Sequence, residues 1–243
     1  MKKSVAVLLT FIFLSLSGSA SGEKIVFVTS DQPPYVMSEK GQPSGLDIDI
    51  VRELCSRLGV EAEIRVLPWK RALKNAEKGE ADAIFAPRNT EERAAFLYYP
   101  SEPLIIERTV ILAPKGSGIK INSIDDLKGK VVGVVRGYAH DPKFDNEKGI
   151  EKAECNDDTE LVKIFSNGRV SLIAGSDEGS LRYVCKQSGF EAETVYVLNE
   201  APTYIAFSKA KGEKGKALTE KFSQALRQLK EEGFIKKAES KYF

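Results

Sequence analysis

Two arginines bracket one polar turn in the stretch FAPRNTEERAAF, residues 85–96. Arg88 stands just before Asn89-Thr90, and Arg93 follows Glu91-Glu92. Asn89 or Thr90 ahead of two glutamates reads as a helix N-cap, with Glu92 three residues past Asn89 completing a capping box. The start of a helix carries partial positive charge, so a cation there is unfavourable by roughly 0.3–1 kcal/mol. Arginines at that position point to another use. Main-chain N–H groups, the Thr90 hydroxyl and a guanidinium together suit an anion, and an arginine fork holds a carboxylate through two parallel charge-assisted bonds. The competing reading pairs both side chains with Glu91 and Glu92 in solvent, and composition does not separate the two.

Little else in the chain carries recognisable chemistry. The 243 residues hold one histidine, His140, and three cysteines, which argues against a Cys/His metal site of four ligands. No G-x-S-x-G, H-E-x-x-H or phosphate-loop pattern occurs, and GVVRG lacks the dinucleotide spacing. Asp31, His140, Asp177 and Glu178 are the acids and bases that could move a proton, and none stands in a catalytic motif. The reading is a binding protein and not an enzyme, with no cofactor and no metal. Charge is balanced, 36 Lys and Arg against 35 Asp and Glu, whereas nucleic-acid binding favours a strongly basic face. No nucleic acid is expected as a partner.

The elements that must position the arginines follow from periodicity. Residues 1–20 have the basic start, short apolar run and small-residue end of a secretory signal peptide, and the run is too short for a bilayer span of ~20 residues. Cleavage near Ala20 or Gly22 would leave a periplasmic protein. KIVFVTS reads as a strand, and DQPPYVMSEKGQPSG as a loop, because three prolines and two glycines oppose a regular element. LDIDIVRELCSRLG is an amphipathic helix stopped by Gly59. VEAEIRVL alternates as a strand, Pro68 opens the helix WKRALKNAEKG, and ADAIFA is a strand that delivers the arginines. Strand, helix, strand, helix, strand is the pattern of a parallel α/β sheet.

That pattern returns beyond the β-branched run SEPLIIERTVILAPKG, which suits a crossover strand. LKGKVVGVVRG, IEKAEC and RVSLIAG read as strands, and DDTELVKIFSNG and DEGSLRYVCKQSG as helices, with Asp157 or Asp158 as a cap. APTYIAFSK and a long final helix then return to the first half. The expected architecture is α/β: two lobes joined by two hinge strands, with lobe 1 over residues 21–107 and 207–243 and lobe 2 over residues 108–206. Ligands of such sheets bind beyond the carboxyl ends of the strands and in clefts between domains. Cys55 shares an apolar helix face with Val51, Leu54 and Leu58. Cys155 and Cys185 are left as either a disulfide or two unpaired core cysteines.

Four ordered stretches spread over essentially the whole mature chain resemble the family-3 solute-binding proteins, the periplasmic receptors of polar-amino-acid ABC importers. They are PPY…GQPSGLDIDIVRELCSRLG, PWKRAL…GEADAIFA, NTEERAAFLYYPSEP and LKGKVVGVVRGY. The resemblance implies a type II two-lobed fold that closes on a small carboxylate-bearing ligand such as an amino acid. It implies a monomer that docks on an ABC permease in the inner membrane. Arg93, in the T-x-x-R motif opened by Thr90, would hold the ligand's α-carboxylate. Trp69 would lie against the ligand, unless it is a core anchor with Leu73 and Ala76. The turn carrying Gly137, Tyr138 and Ala139 would also meet the carboxylate. Asp177 would take the amino group, or Ser176 if the count starts at Gly168.

Three departures from the family's pattern fall where the resemblance implies contact with the ligand. APRN, with Ala86 and Arg88, stands where small hydroxyl residues are usual. Gln32 stands where an aromatic residue is usual, and Tyr138-Ala139 where threonine is usual. If they face the cleft, Arg88 and Arg136 would favour a ligand with further negative charge or acceptor oxygens. A cyclohexadienyl-dehydratase-like lyase on the same fold and a stand-alone sensory module are the alternatives that the resemblance leaves.

Overall fold

The computed structural model describes residues 23–39 and 41–242, so the signal-peptide reading lies outside the described residues. The first lobe opens with β1 (Lys24–Thr29), a small hairpin of β2 (Met37–Glu39) and β3 (Gln42–Ser44), and α1 (Leu46–Arg57). It continues through β4 (Glu61–Val66), α2 (Trp69–Glu77), β5 (Ala83–Arg88), α3 (Glu91–Ala94) and β6 (Leu97–Tyr98). The second lobe holds β7 (Ile106–Pro114), β8 (Val131–Val135), α4 (Pro142–Asn146), β9 (Glu151–Cys155), α5 (Asp158–Ser166), β10 (Leu172–Gly175) and α6 (Glu178–Gln187). Then β11 (Ala192–Ser208) runs back to the first lobe, where α7 (Gly212–Glu231) and α8 (Phe234–Glu239) complete it.

The strand order is β4-β1-β5-β11-β7-β10-β8-β9, with β6 also on β11. In lobe 1, β1 is parallel to β4 and β5; in lobe 2, β8 is parallel to β9 and β10. Both faces of each half-sheet are covered, which is why the strands read as near-continuous apolar runs. Side chains still alternate: Ile25 and Phe27 enter one cluster and Val28 the opposite one. In lobe 2, Val110 and Leu112 face one way and Ile111 and Ala113 the other.

One strand joins the lobes. Along β11, residues 192–202 pair with β7 and residues 203–207 pair with β5. The second connection is the segment before β7, where the Leu104 N–H donates to the Thr203 carbonyl at 2.7 Å and the Thr203 N–H to that of Ile105 at 2.9 Å. The pairing partner of β11 thus changes between residues 202 and 203, inside the segment read as leading back to lobe 1.

One expectation changes, and one pair of alternatives is decided. The loop after β1 contains the β2–β3 hairpin, because its one strand proline, Pro43, lies in a two-stranded ribbon where an edge tolerates a missing donor. Cys155 and Cys185 share one apolar cluster of lobe 2 as buried free thiols, and Cys55 is a buried free thiol in lobe 1.

Candidate functional site

The site is made where β5 stops being regular. Arg88 pairs with Thr203 and Phe85 with Ile205, so β5 carries one residue more than β11 between those points. Ala86 sits in this bulge at φ +68, a left-handed conformation that costs a non-glycine residue roughly 1–3 kcal/mol. The bulge interrupts the alternation that buries Phe85 in the core and brings Ala86 and Arg88 to the wall of an inter-lobe cavity. That cavity holds about 20 Å³ and is lined by Ser30, Gln32, Trp69, Ala86, Arg88 and Arg93, with Glu107, Tyr138, Ala139 and Ser176 completing it.

Arg88 crosses the cleft. It is 6% exposed. Its Nη1 donates to the His140 carbonyl at 2.8 Å and to Asn199 Oδ1 at 3.1 Å, and its Nη2 donates to the Ser176 carbonyl at 2.7 Å. Nη2 also lies 3.4 Å from Glu107 Oε2, a pair almost wholly removed from solvent. Burial raises the Glu107 carboxyl to about 7 against the opposing pull of Arg88. The Nε of Arg88 has no partner among the described residues.

Arg93 is buried to the same degree and has no ion pair among the described residues. Its Nη1 donates to the Arg88 carbonyl at 3.3 Å and its Nη2 to the Gly137 carbonyl of lobe 2 at 2.9 Å. Its guanidinium carbon lies 5.4 Å from the centre of the Trp69 ring. Burial lowers its pKa, as it must for a cation taken from water. The expected conflict with a helix dipole does not arise. The helix is the single turn of α3, too short to align many peptide dipoles. Its cap is Thr90, not Asn89, with Thr90 Oγ1 accepting from the Arg93 N–H at 3.3 Å. The cationic character of the site therefore comes from side chains, not from helix amides.

The remaining expected residues divide. Trp69, the first residue of α2, is 4% exposed, packs with Ala72, Ala76 and Leu73, and donates its Nε1 to the Gly137 carbonyl at 3.0 Å. It is both core anchor and cavity wall. Tyr138 meets Trp69 edge-on at 6.0 Å, with its hydroxyl 3.5 Å from Ser30 Oγ. Gln32 Nε2 donates to Glu107 Oε1 at 3.3 Å. Thr90 and Asp177 do not line the cavity. Asp177 caps α6, its Oδ2 accepting from the Ser180 N–H at 2.8 Å, and Ser176 is the neighbour that faces inward. Arg136 pairs with Glu154 at 2.6 Å on the surface, half-exposed and outside the cavity.

Glu107 is the residue that sequence reasoning missed. The signal was an acid inside the β-branched run of β7, at the inward parity shared with Thr109, while Ile106 and Arg108 point outward. The acids and bases weighed for proton transfer stand elsewhere. Glu178 is held by Arg108 and Arg182, His140 Nδ1 lies 3.1 Å from Asp145 Oδ1, and Asp31, His140, Asp177 and Glu178 are all absent from the cavity wall.

Two α/β lobes, hinged on strands and meeting over a buried cationic cavity, define a two-lobed ligand-binding protein. The chain belongs to the bacterial extracellular solute-binding proteins, family 3, whose pattern matches residues 25–243. It is similar to the arginine-binding extracellular protein ArtP of Bacillus subtilis (strain 168), at 26% identity over 98% of this chain and 95% of that one. It is also similar to the L-cystine-binding protein TcyJ of Escherichia coli (strain K12), at 24% identity over 91% of this chain and 83% of that one. A solved ancestral arginine-binding protein bound to arginine superposes with a TM-score of 0.79 at 26% identity, covering 92% of this chain and 99% of that chain. These agree with the expected family and type II fold. Among the described residues no helix is long and apolar enough to cross a membrane.

Proposed function

We propose that this chain is the periplasmic receptor of an ABC importer and captures a small carboxylate-bearing solute between its lobes, the amino acids being the class named in its relatives. The observation that carries this reading is Arg93: a guanidinium buried in the cavity wall with no carboxylate partner among the described residues. An unpaired buried charge is costly, and a ligand carboxylate supplies the missing partner. Arg93 clamps the carboxylate over the face of Trp69, while Ser30, Gln32, Tyr138 and Ser176 offer the surrounding polar contacts. Thr90 and Asp177 act indirectly, holding α3 and α6 in place.

Binding proceeds without turnover in this reading: Asp31, His140, Asp177 and Glu178 lie off the cavity wall, and Glu107, the acid on it, is engaged by Arg88 and Gln32. The exported monomer, freed of its signal peptide, presents its closed form to a membrane permease. A thermal-shift panel of L-amino acids, short mono- and dicarboxylates and amines on residues 21–243 tests the reading. Ligand at 100 times its Kd stabilises by about 2.7 kcal/mol. Amines that stabilise while every carboxylate fails would refute the carboxylate clamp.

A further inference from the structure

We propose that Arg88 sets the specificity of the cleft, filling the space beyond the Arg93–Trp69 clamp so that only compact carboxylates without a cationic side chain fit. The inference rests on the reading of Arg93 as the carboxylate anchor. Three of its supports are independent of that reading.

The first is occupancy. The Arg88 side chain leaves lobe 1 and ends on two lobe-2 carbonyls, His140 and Ser176, at 2.8 and 2.7 Å. Those bonds carry a guanidinium across the cleft from one lobe to the other, and the space left beside it, about 20 Å³, is room for little more than one water, so a long side chain could enter only by displacing Arg88. The second is charge. Glu107 is the acid on the cavity wall, and both its oxygens are taken, Oε2 beside Arg88 and Oε1 by Gln32. A ligand guanidinium or ammonium tail would meet Arg88 as a like charge, and such juxtaposition costs several kcal/mol. The third is the bulge. Arg88 reaches this position only because Ala86 holds a left-handed conformation, so the backbone itself commits the side chain to the cleft.

The consequence separates this chain from its arginine-binding relatives. L-Alanine and lactate serve as compact probes, and L-arginine and L-lysine as long cationic ones, each titrated by calorimetry into the full mature chain. The parent binds a compact probe at least about tenfold more tightly than either cationic one. Arg88→Ser shortens the side chain and closes that gap, strengthening arginine or lysine at least about tenfold relative to alanine. Because Arg88→Ser leaves Glu107 buried without its partner, the pair Arg88→Ser with Glu107→Gln is measured alongside, and its melting transition reports folding independently. Tight arginine or lysine binding by the parent overturns the proposal, as does a cationic-to-compact ratio unchanged in both variants. Arg93→Ala distinguishes the two readings: compact-probe binding that survives it refutes the clamp, whereas a lost clamp with an unchanged Arg88 ratio refutes only the specificity assignment.

Discussion

Arg93 and Trp69, both from lobe 1, donate to the same lobe-2 acceptor, the Gly137 carbonyl, at 2.9 and 3.0 Å. One backbone oxygen thus ties the proposed anion anchor and its aromatic floor to the opposite lobe. Gly137 is at φ +81 in the turn after β8, and a side chain there would approach the Trp69 ring and the Lys70 backbone. Closure and ligand contact therefore share the same groups.

Arg93→Ala should cost about 2–5 kcal/mol of binding to a carboxylate ligand, the usual loss on removing one partner of a buried charge pair. Arg93→Lys should recover only part of it, because an ammonium lacks the planar fork. Titration calorimetry measures both. Parent-like affinity in the alanine variant would remove Arg93 from the site.

Trp69→Phe keeps most of the apolar packing and deletes the bond to Gly137, worth about 0.5–1.5 kcal/mol net. The expected result is a small change in melting temperature and a shift toward the open form, seen as a larger radius of gyration in solution scattering. Trp69→Ala should also lose roughly 3–5 kcal/mol of stability, since the ring is nearly fully buried. A phenylalanine variant as destabilised as the alanine one would contradict this division.

Ala86→Gly relieves the left-handed backbone and should stabilise the protein by roughly 1 kcal/mol, less the extra freedom glycine has when unfolded. Urea denaturation tests this. A loss of stability would show that the bulge does not hold the strain assigned to it.

Burial is the first cause that raises Glu107 and Asp158 to about 7 and Asp31 to about 6. Each carboxyl therefore binds its proton more tightly folded than unfolded. Their contribution to stability is full at pH values below the ordinary carboxylate range and is lost as pH rises to about 7. The slope is at most about 1.4 kcal/mol per pH unit for each group. Asp158→Asn, which mimics the protonated acid beside Ser180, should flatten part of that fall and raise stability at pH 8. A ligand-free profile whose stability climbs from pH 5 to pH 8 would be incompatible with this cluster.

The three cysteines should be silent toward a thiol reagent in the native protein. All are buried, and burial pushes Cys55 to about 12 and Cys155 and Cys185 to about 11. Unfolding without reductant should release three reactive thiols. Finding one would show a disulfide and overturn the free-thiol assignment.

Most of the fold was legible because local rules and tertiary packing agree. The apolar alternation of β1 and β7, Gly59 and Gly79 past their helices at φ +66 and +71, and Asp157 as a cap each act within a few residues, whereas the Asp177 cap was read instead as a ligand contact. Arg93 drew notice as a cation at a helix start near a strand's carboxyl end, and Trp69 through the family resemblance; both lie on the cavity wall. What no local rule carries is facing across the cleft. Whether Arg88 or Arg136 points inward depends on one extra residue in β5, and that bulge is defined only against β11, more than a hundred residues away. Glu107 becomes a wall of the cavity only when β7 pairs with β11 and Arg88 arrives from the other lobe. The sequence by itself determined the elements, the two lobes and the residue types at the strand ends, since each follows from interactions along a short span of chain. The tertiary structure alone decided which charges meet and which stay unpaired, because those depend on distances set by the packing of one lobe against the other.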